Sequence, residues 1–391
     1  MNLLAMTKSI ENGLVRLSLD VVIGGGRKRL WFSFAELYQS AVVDEVCDGF
    51  LIALFPYCTR NGLSVNSCIP ATRAVLQNLE ALNSLLVQEN PREYKAIHIE
   101  APVSDWYPHP EFKRGILASG SCGVDALHTL WACEKSRYFD RPTHVVFNNT
   151  GSSDCGAFKE ELLAGRVSHS HDFAEKYGYG FIFADSNYAE FVEHLHYSLT
   201  NFYVNLSIGY LLAGGFLRYV VSSGYEVNQI SFADDPAHAE PVLVGYMSVP
   251  YFQVTHVAGD FIPRYRKVSE LLDYPPALSH LNVCFEKAYN CGLCGKCRRV
   301  LMALECLGAV DRFHKVFDVA RYKTKRDLVF AEIIYDHWNC DTFVNEMWPE
   351  FRGMLGLRHW MMAWRKKIWV FIISNKTFQF LNTRLRHHER R

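Results

Sequence analysis

The residues best suited to chemistry in this chain are four cysteines, Cys284, Cys291, Cys294 and Cys297, in the string VCFEKAYNCGLCGKCRR. Their spacing is C-x6-C-x2-C-x2-C. A C-x2-C pair lets two thiolates reach one ion from a tight turn, and Gly292 and Gly295 are placed to relax that turn. Four thiolates in a tetrahedron suit Zn2+, and a closed four-ligand site is structural rather than catalytic. Lys287, Lys296, Arg298 and Arg299 surround the run and favour the thiolate form. Free or disulfide-bonded thiols are the plain alternative, although cysteines this close would make strained local disulfides. An iron–sulfur cluster also takes four cysteines. The compact spacing and complete ligand set favour zinc.

The second chemical feature is SGSCGVDA (119–126), which follows the short apolar run GILAS. Small residues let backbone amides approach an anion, and a helix starting near Asp125 would point its positive end there. Ser119 and Ser121 can add hydroxyl donors, and a carboxylate such as Asp125 can hold Mg2+ against phosphates. Small-residue turns of this kind also arise from close packing alone. Cys122, at a helix start, is in addition a candidate nucleophile, with a small buried loop residue as the plainer reading.

Elements must position these groups. At the N-terminus LVRLSLDVV alternates apolar and polar residues, GGGRK turns, and LWFSF returns as a second strand. Helices are predicted over 43–59 and 72–88, and a strand over 95–99. The stretch 101–110, with three prolines, reads as a linker. Beyond it GILAS (115–119), HVVFNN (144–149), GFIFADS (180–186) and LRYVVSSG (217–224) are short buried strands separated by helical segments. That alternation predicts an α/β parallel sheet with helices on both faces, with ligands at the carboxyl ends of the strands. Three parts are expected: an N-terminal α+β unit (1–105), a nucleotide-binding α/β domain carrying the zinc site (111–320), and a helical basic C-terminal extension (321–391).

The small-residue loop after the first such strand, the parallel sheet and the distal cysteine segment NCGLCGKCRRVLMALECLG together resemble the PP-loop ATP pyrophosphatase superfamily, in particular the branch containing 7-cyano-7-deazaguanine synthase and its uncharacterised relatives. The resemblance covers roughly residues 40–317. It implies a HUP-like PP-loop domain and an enzyme that joins AMP from ATP to a substrate carboxylate or carbonyl oxygen, releases pyrophosphate, and lets a nitrogen or sulfur nucleophile displace AMP. By position, Ser121, Gly123 and Asp125 would cradle pyrophosphate and Mg2+, and Arg264 and Lys267 of RYRK would neutralise charge developing on the phosphates. Asn148 and Asn149 would lie where the family contacts adenine. The family loop reads S-G-G-x-D-S, and this chain departs from it at Cys122 and Ala126. A side chain at 122 costs on the order of 1 kcal/mol if that position needs φ > 0, and it would crowd the ligand. Otherwise Ser119 and Gly120 supply a shifted loop. The apolar EPVLVGYMSV (240–249) replaces a polar stretch of the relatives. A degenerate PP-loop protein that binds a nucleotide or a partner without catalysis is therefore the main alternative, and an iron–sulfur-dependent sulfur transferase the second.

Composition bounds the rest. The 391 residues are 49% hydrophobic and 21% charged, as in soluble globular proteins. Net charge is zero, so no specific nucleic acid is expected. The balance is uneven: residues 352–391 hold ten Lys or Arg and one acid, and WMMAWRKKIWVFIISNK fits either contact with an anionic surface or an amphipathic helix packed on the body, the second being preferred. No secretory signal and no membrane-length apolar run is read, and the cysteine usage points to a cytoplasmic protein. The expected partner is a small-molecule or peptide carboxylate or carbonyl substrate, and a homodimer is allowed. His169 with His171, and His194 with His196, have the alternate spacing of strand-borne metal pairs but lack a third ligand, so hydrogen-bonded or surface roles are expected. Asp234 and Asp235 read as a turn, and Glu160 and Glu161 as a solvated helix face.

Overall fold

A computed structural model describes residues 1–108, 114–151, 159–192, 195–232, 236–257 and 262–374. Contacts divide the chain into two compact units: 1–267 with 280–282, and 268–279 with 283–391. Twelve strands are described: β1 (Asn2–Glu11), β2 (Leu14–Ile23), β3 (Gly26–Ala35), β4 (Val65–Ser67), β5 (Ala71–Thr72), β6 (Ile99–Glu100), β7 (Val103–Ser104), β8 (Gly115–Ser119), β9 (His144–Asn149), β10 (Gly180–Ser186), β11 (Phe216–Val221) and β12 (Gln253–His256). All belong to the first unit.

Ten of them form one sheet in the order β12-β11-β8-β9-β10-β3-β2-β1-β4-β6. The five strands β12 to β10 pair in parallel. Counted in chain order within this block, their arrangement is 5-4-1-2-3, the order of doubly wound sheets, in which the winding reverses between the first and fourth strands. Here those are β8 and β11. Leu117, Ala118, Val145, Val146, Ile182 and Val220 are all buried, because helices cover both faces of the block. The α/β class and four of its five parallel strands match the expectation. The fifth, β12, was not foreseen.

The N-terminal strands do not form a separate body. β3 runs antiparallel beside β10, with Ser33 opposite Asp185 and Phe32 opposite Ser186. The meander β1–β3 thereby extends the parallel sheet, and the boundary expected near residue 105 is replaced by a continuous core. The stretch read as a linker packs on that core instead: the rings of Trp106 and Tyr251 lie 5.0 Å apart, and the Tyr107 hydroxyl donates to the carbonyl of Pro250. The helices expected over 43–59 and 72–88 are Asp48–Asn61 and Arg73–Glu89, whereas of the strand expected over 95–99 only Ile99 is in a strand.

The second unit holds the cysteine cluster and the helices Gly295–Cys306, Val319–Trp338, Thr342–Phe351 and Leu357–Ser374. The cysteines thus cluster with the C-terminal helices, not with the sheet domain to which the sequence assigned them. Ala331, Ile334 and Ala363 are buried there among Trp338, Trp348 and Trp360.

Inside the first unit Asp48 is 2% exposed, and its carboxylate accepts from the Thr72 amide at 2.8 Å, the Thr72 hydroxyl at 2.6 Å and the Tyr251 hydroxyl. Burial raises the carboxyl pKa, and these donors oppose the rise. The triad joins the start of one helix, the end of β5 and the segment before β12. Asp48→Ala leaves several buried donors without an acceptor and is expected to destabilise the first unit by about 2–4 kcal/mol, read as a lower urea midpoint.

Candidate functional site

The loop between β8 and the helix Val124–Lys135 lies at the switch point of the sheet. Three backbone carbonyls fix it. Gly120 donates its amide to Val146 O at 2.8 Å, and its own carbonyl accepts from the Ser170 hydroxyl. The carbonyl of Cys122 accepts from the Asn282 amide at 2.8 Å. A Cβ on residue 120 would lie 3.1 Å from the Ser170 hydroxyl oxygen and 3.2 Å from Val146 O, which explains glycine there.

Cys122 has φ of 55°, in the left-handed region that favours glycine. The strain foreseen from the sequence is therefore present. The side chain is 1% exposed and turns inward, with Sγ 3.6 Å from Gly120 O. Burial pushes the thiol pKa far up. A thiol that is enclosed and set beside a carbonyl is no nucleophile, and the catalytic reading of Cys122 falls. Ala126 is buried as well and serves packing.

Asp125 is the first-turn acid of the helix, and no side chain caps that helix at Gly123. Its carboxylate meets two cations that are 139 and 142 residues away in sequence: Arg264 Nη2 at 2.6 Å and Lys267 Nζ at 3.3 Å. Lys267 is 1% exposed and also donates to the carbonyl of Ser223, just after β11. The Thr129 hydroxyl donates to Ser222 Oγ at 2.9 Å, a second tie between this helix and the loop after β11. The described residues thus bring one carboxylate and two cations together at a helix N-terminus, where the helix dipole favours an anion. Ser121 is exposed at the loop tip, and Ser119 ends β8. Asn148 and Asn149 end β9. They are already bonded to protein, Asn148 to Asn205 Oδ1 at 2.8 Å and Asn149 to Asp185 Oδ1 at 2.7 Å. Ser170, Ser222, Ser223 and Asn282 contribute to the site without a sequence signal that marks them.

In the second unit the sulfurs of Cys284, Cys291, Cys294 and Cys297 all lie within 4.8 Å of one another, a group that can hold a metal ion. A tetrahedral Zn–S bond of about 2.3 Å sets neighbouring sulfurs roughly 3.8 Å apart, and Cys284 and Cys294 are at 3.8 Å. Gly292, with φ of 74°, makes the turn, whereas Gly295 opens a helix with no unusual backbone. Backbone amides point at the sulfurs: Lys287 N at 3.3 Å from Cys284, and Leu293 N and Cys294 N at 3.4 and 3.3 Å from Cys291. Hydrogen bonds from Cys294 and Cys297 hold the Cys284 thiol well below the usual thiol range. The stabilisation expected from Arg298 and Arg299 is not the operative one, because Arg298 pairs with Asp336 at 2.6 Å and Arg299 with Asp341.

Among the described residues, His169, His171 and His196 join no metal-competent group. His169 and His171 sit on the helix Lys159–Tyr177, not on a strand, so residues two apart point to different sides. His169 Nε2 contacts His280 O at 2.8 Å, and the His171 ring packs edge-on to Phe181. His196 accepts from Ser198 N at the start of a short 3-10 turn. His194, Asp234 and Asp235 lie outside the described residues. Glu160 and Glu161 are exposed in the first turn of their helix, as read.

No family model matches the chain, and comparisons with curated proteins and with solved structures find no match.

Two outcomes follow from this geometry. Iodoacetamide at mild alkaline pH should label exposed Cys68 and Cys340 and spare Cys122 in the native protein, with Cys122 reacting only after denaturation, as read by peptide mass. Cys297→Ser should abolish stoichiometric metal binding in elemental analysis and lower the thermal midpoint of the second unit by roughly 5–10 °C.

Proposed function

We propose that the first unit activates a substrate with ATP in the manner of a PP-loop pyrophosphatase, on a HUP-like domain. The observation that carries this reading is the meeting of Asp125, Arg264 and Lys267 beside an uncapped helix N-terminus at the carboxyl ends of β8 and β11. A triphosphate fits that donor set: the first turn of a helix without a side-chain cap, the hydroxyls of Ser119 and Ser121, and the cations Arg264 and Lys267. Mg2+ is usually held by phosphates and one or two carboxylates, and Asp125 is the carboxylate this cluster offers.

In this reading a carboxylate or carbonyl oxygen of the substrate attacks the α-phosphorus of ATP. The bond to the β-phosphate oxygen breaks, and pyrophosphate leaves with the electron pair. Arg264 and Lys267 stabilise the negative charge that grows on that oxygen, and because their positions are fixed beforehand they need no reorganisation. A nitrogen or sulfur nucleophile then displaces AMP. The close sulfur set of the second unit supports a single zinc ion over an iron–sulfur cluster, whose inserted irons and sulfides would spread the ligands.

A second reading has its own support. Both oxygens of Asp125 are engaged by cations, and position 122 bears a strained side chain. These features also suit a module that binds a nucleotide without turning it over.

ATP binding by calorimetry and ATP–pyrophosphate exchange separate the cases. The catalytic reading expects both activities, with Asp125→Ala and Lys267→Met each weakening ATP binding about 10- to 100-fold, as for loss of a hydrogen bond between charged groups. Binding without exchange for any carboxylate substrate supports the module. A folded, metal-loaded protein that binds no ATP at millimolar concentration removes both.

A further inference from the structure

The helix Leu357–Ser374 has one face committed to its own unit. His359 and Ala363 are buried, Trp360 and Met362 pack around them, and Lys366 pairs with Glu332 of the helix Val319–Trp338. The opposite face is apolar and exposed, although the Trp364 ring also lies 5.1 Å from that of Trp338. Leu357, Met361, Trp364, Ile368 and Phe371 are each more than half exposed and recur at alternating intervals of four and three residues. Trp369, Ile372 and Ile373 widen the stripe, so the last turns are apolar all round. Apolar surface on this scale marks an interaction site.

Charge selects the occupant. The helix contains Arg358, Arg365, Lys366 and Lys367 and no acidic residue, and the chain from residue 352 onward carries ten basic residues against one acid. The four-three spacing would suit a coiled-coil seam with a second copy. Arg365 and Lys367 border that seam, however, so self-pairing would set like charges against each other. Among the described residues no helix is long and apolar enough to cross a membrane. A helical run that is apolar on all sides is buried in protein or in lipid, and the basic residues beside this one favour an anionic lipid.

We infer that this helix lies along an anionic lipid surface. Its stripe enters the boundary between headgroups and acyl chains, Trp364 and Trp369 sit at the interface, and Arg365 and Lys367 reach lipid phosphates from its flanks, Arg358 being paired with Asp327 of its own unit. The inference is independent of the ATP reading, because it rests on the second unit alone.

The test is co-sedimentation of the full chain with vesicles of phosphatidylserine and phosphatidylcholine in equal parts, against vesicles of phosphatidylcholine alone. Binding is expected to the first and not the second, with a blue shift of tryptophan emission and weakening by salt. Each basic residue near such a surface is worth roughly fivefold in affinity, so Arg365→Glu with Lys367→Glu should lower binding by about 25-fold or more. Ile368→Ser with Trp369→Ser and Phe371→Ser should remove it, with folding verified by circular dichroism, since all these positions are exposed. A folded protein that stays in the supernatant overturns the inference, as does binding unchanged in both variants. A dimer in sedimentation equilibrium that the serine variant abolishes, without vesicle binding, assigns the face to a second copy. Capture of soluble polyglutamate in place of vesicles assigns it to an acidic protein.

Discussion

Burying the Lys267 ammonium is the constraint around which the first unit's site is arranged. An enclosed cation is costly unless a counter-charge and hydrogen-bond acceptors replace its water. Asp125 supplies the charge and the Ser223 carbonyl supplies an acceptor. Those partners come from the loops after the two strands where the sheet reverses its winding, and Arg264 adds a second cation at the rim. One buried charge therefore holds three chain segments in register. With Gly120 and Cys122 fastened through their backbones, the loop is organised before any ligand arrives.

Cysteine takes opposite roles in this molecule according to what surrounds the sulfur. In the four-cysteine cluster, backbone N–H groups point at the sulfurs and favour negative charge there. At Cys122 the thiol donates to a carbonyl oxygen, and the side chain is buried, so the proton stays. The side chain is the same, and its chemistry is set by whether donors or acceptors face it.

What the sequence reveals follows the range of each interaction. The four metal-competent cysteines are legible because their ligand spacing is local. β8 to β11 are legible because strands buried on both faces become apolar runs. β12, QVTH, is too short and too polar to show. The helix over 159–177 is legible at its acidic start, but the alternate spacing of His169 and His171 within it imitates a strand. The meeting of Asp125 with Arg264 and Lys267 spans some 140 residues, and no local pattern encodes it; only the family resemblance placed the three together. Prolines at 101–110 describe the backbone and not what its neighbours bury, which is why Trp106 and Tyr107 turn out to dock on the core. The seam between β3 and β10 is likewise a tertiary choice, invisible in either strand.

That seam has a consequence for how the chain is made. The meander β1–β3 is complete once residue 35 is synthesised, yet the strand that covers its outer edge ends at residue 186. At ribosomal rates of about 5–20 residues per second, the edge of β3 waits roughly ten to thirty seconds for its neighbour. Open strand edges recruit other chains. Arg27, Lys28 and Arg29 stand at the start of β3, and their charge is a deterrent to such pairing during the delay. In the finished fold the buried carboxylate of Asp20 accepts hydrogen bonds from both arginines, so residues that guard a nascent edge end as its ion-pair partners.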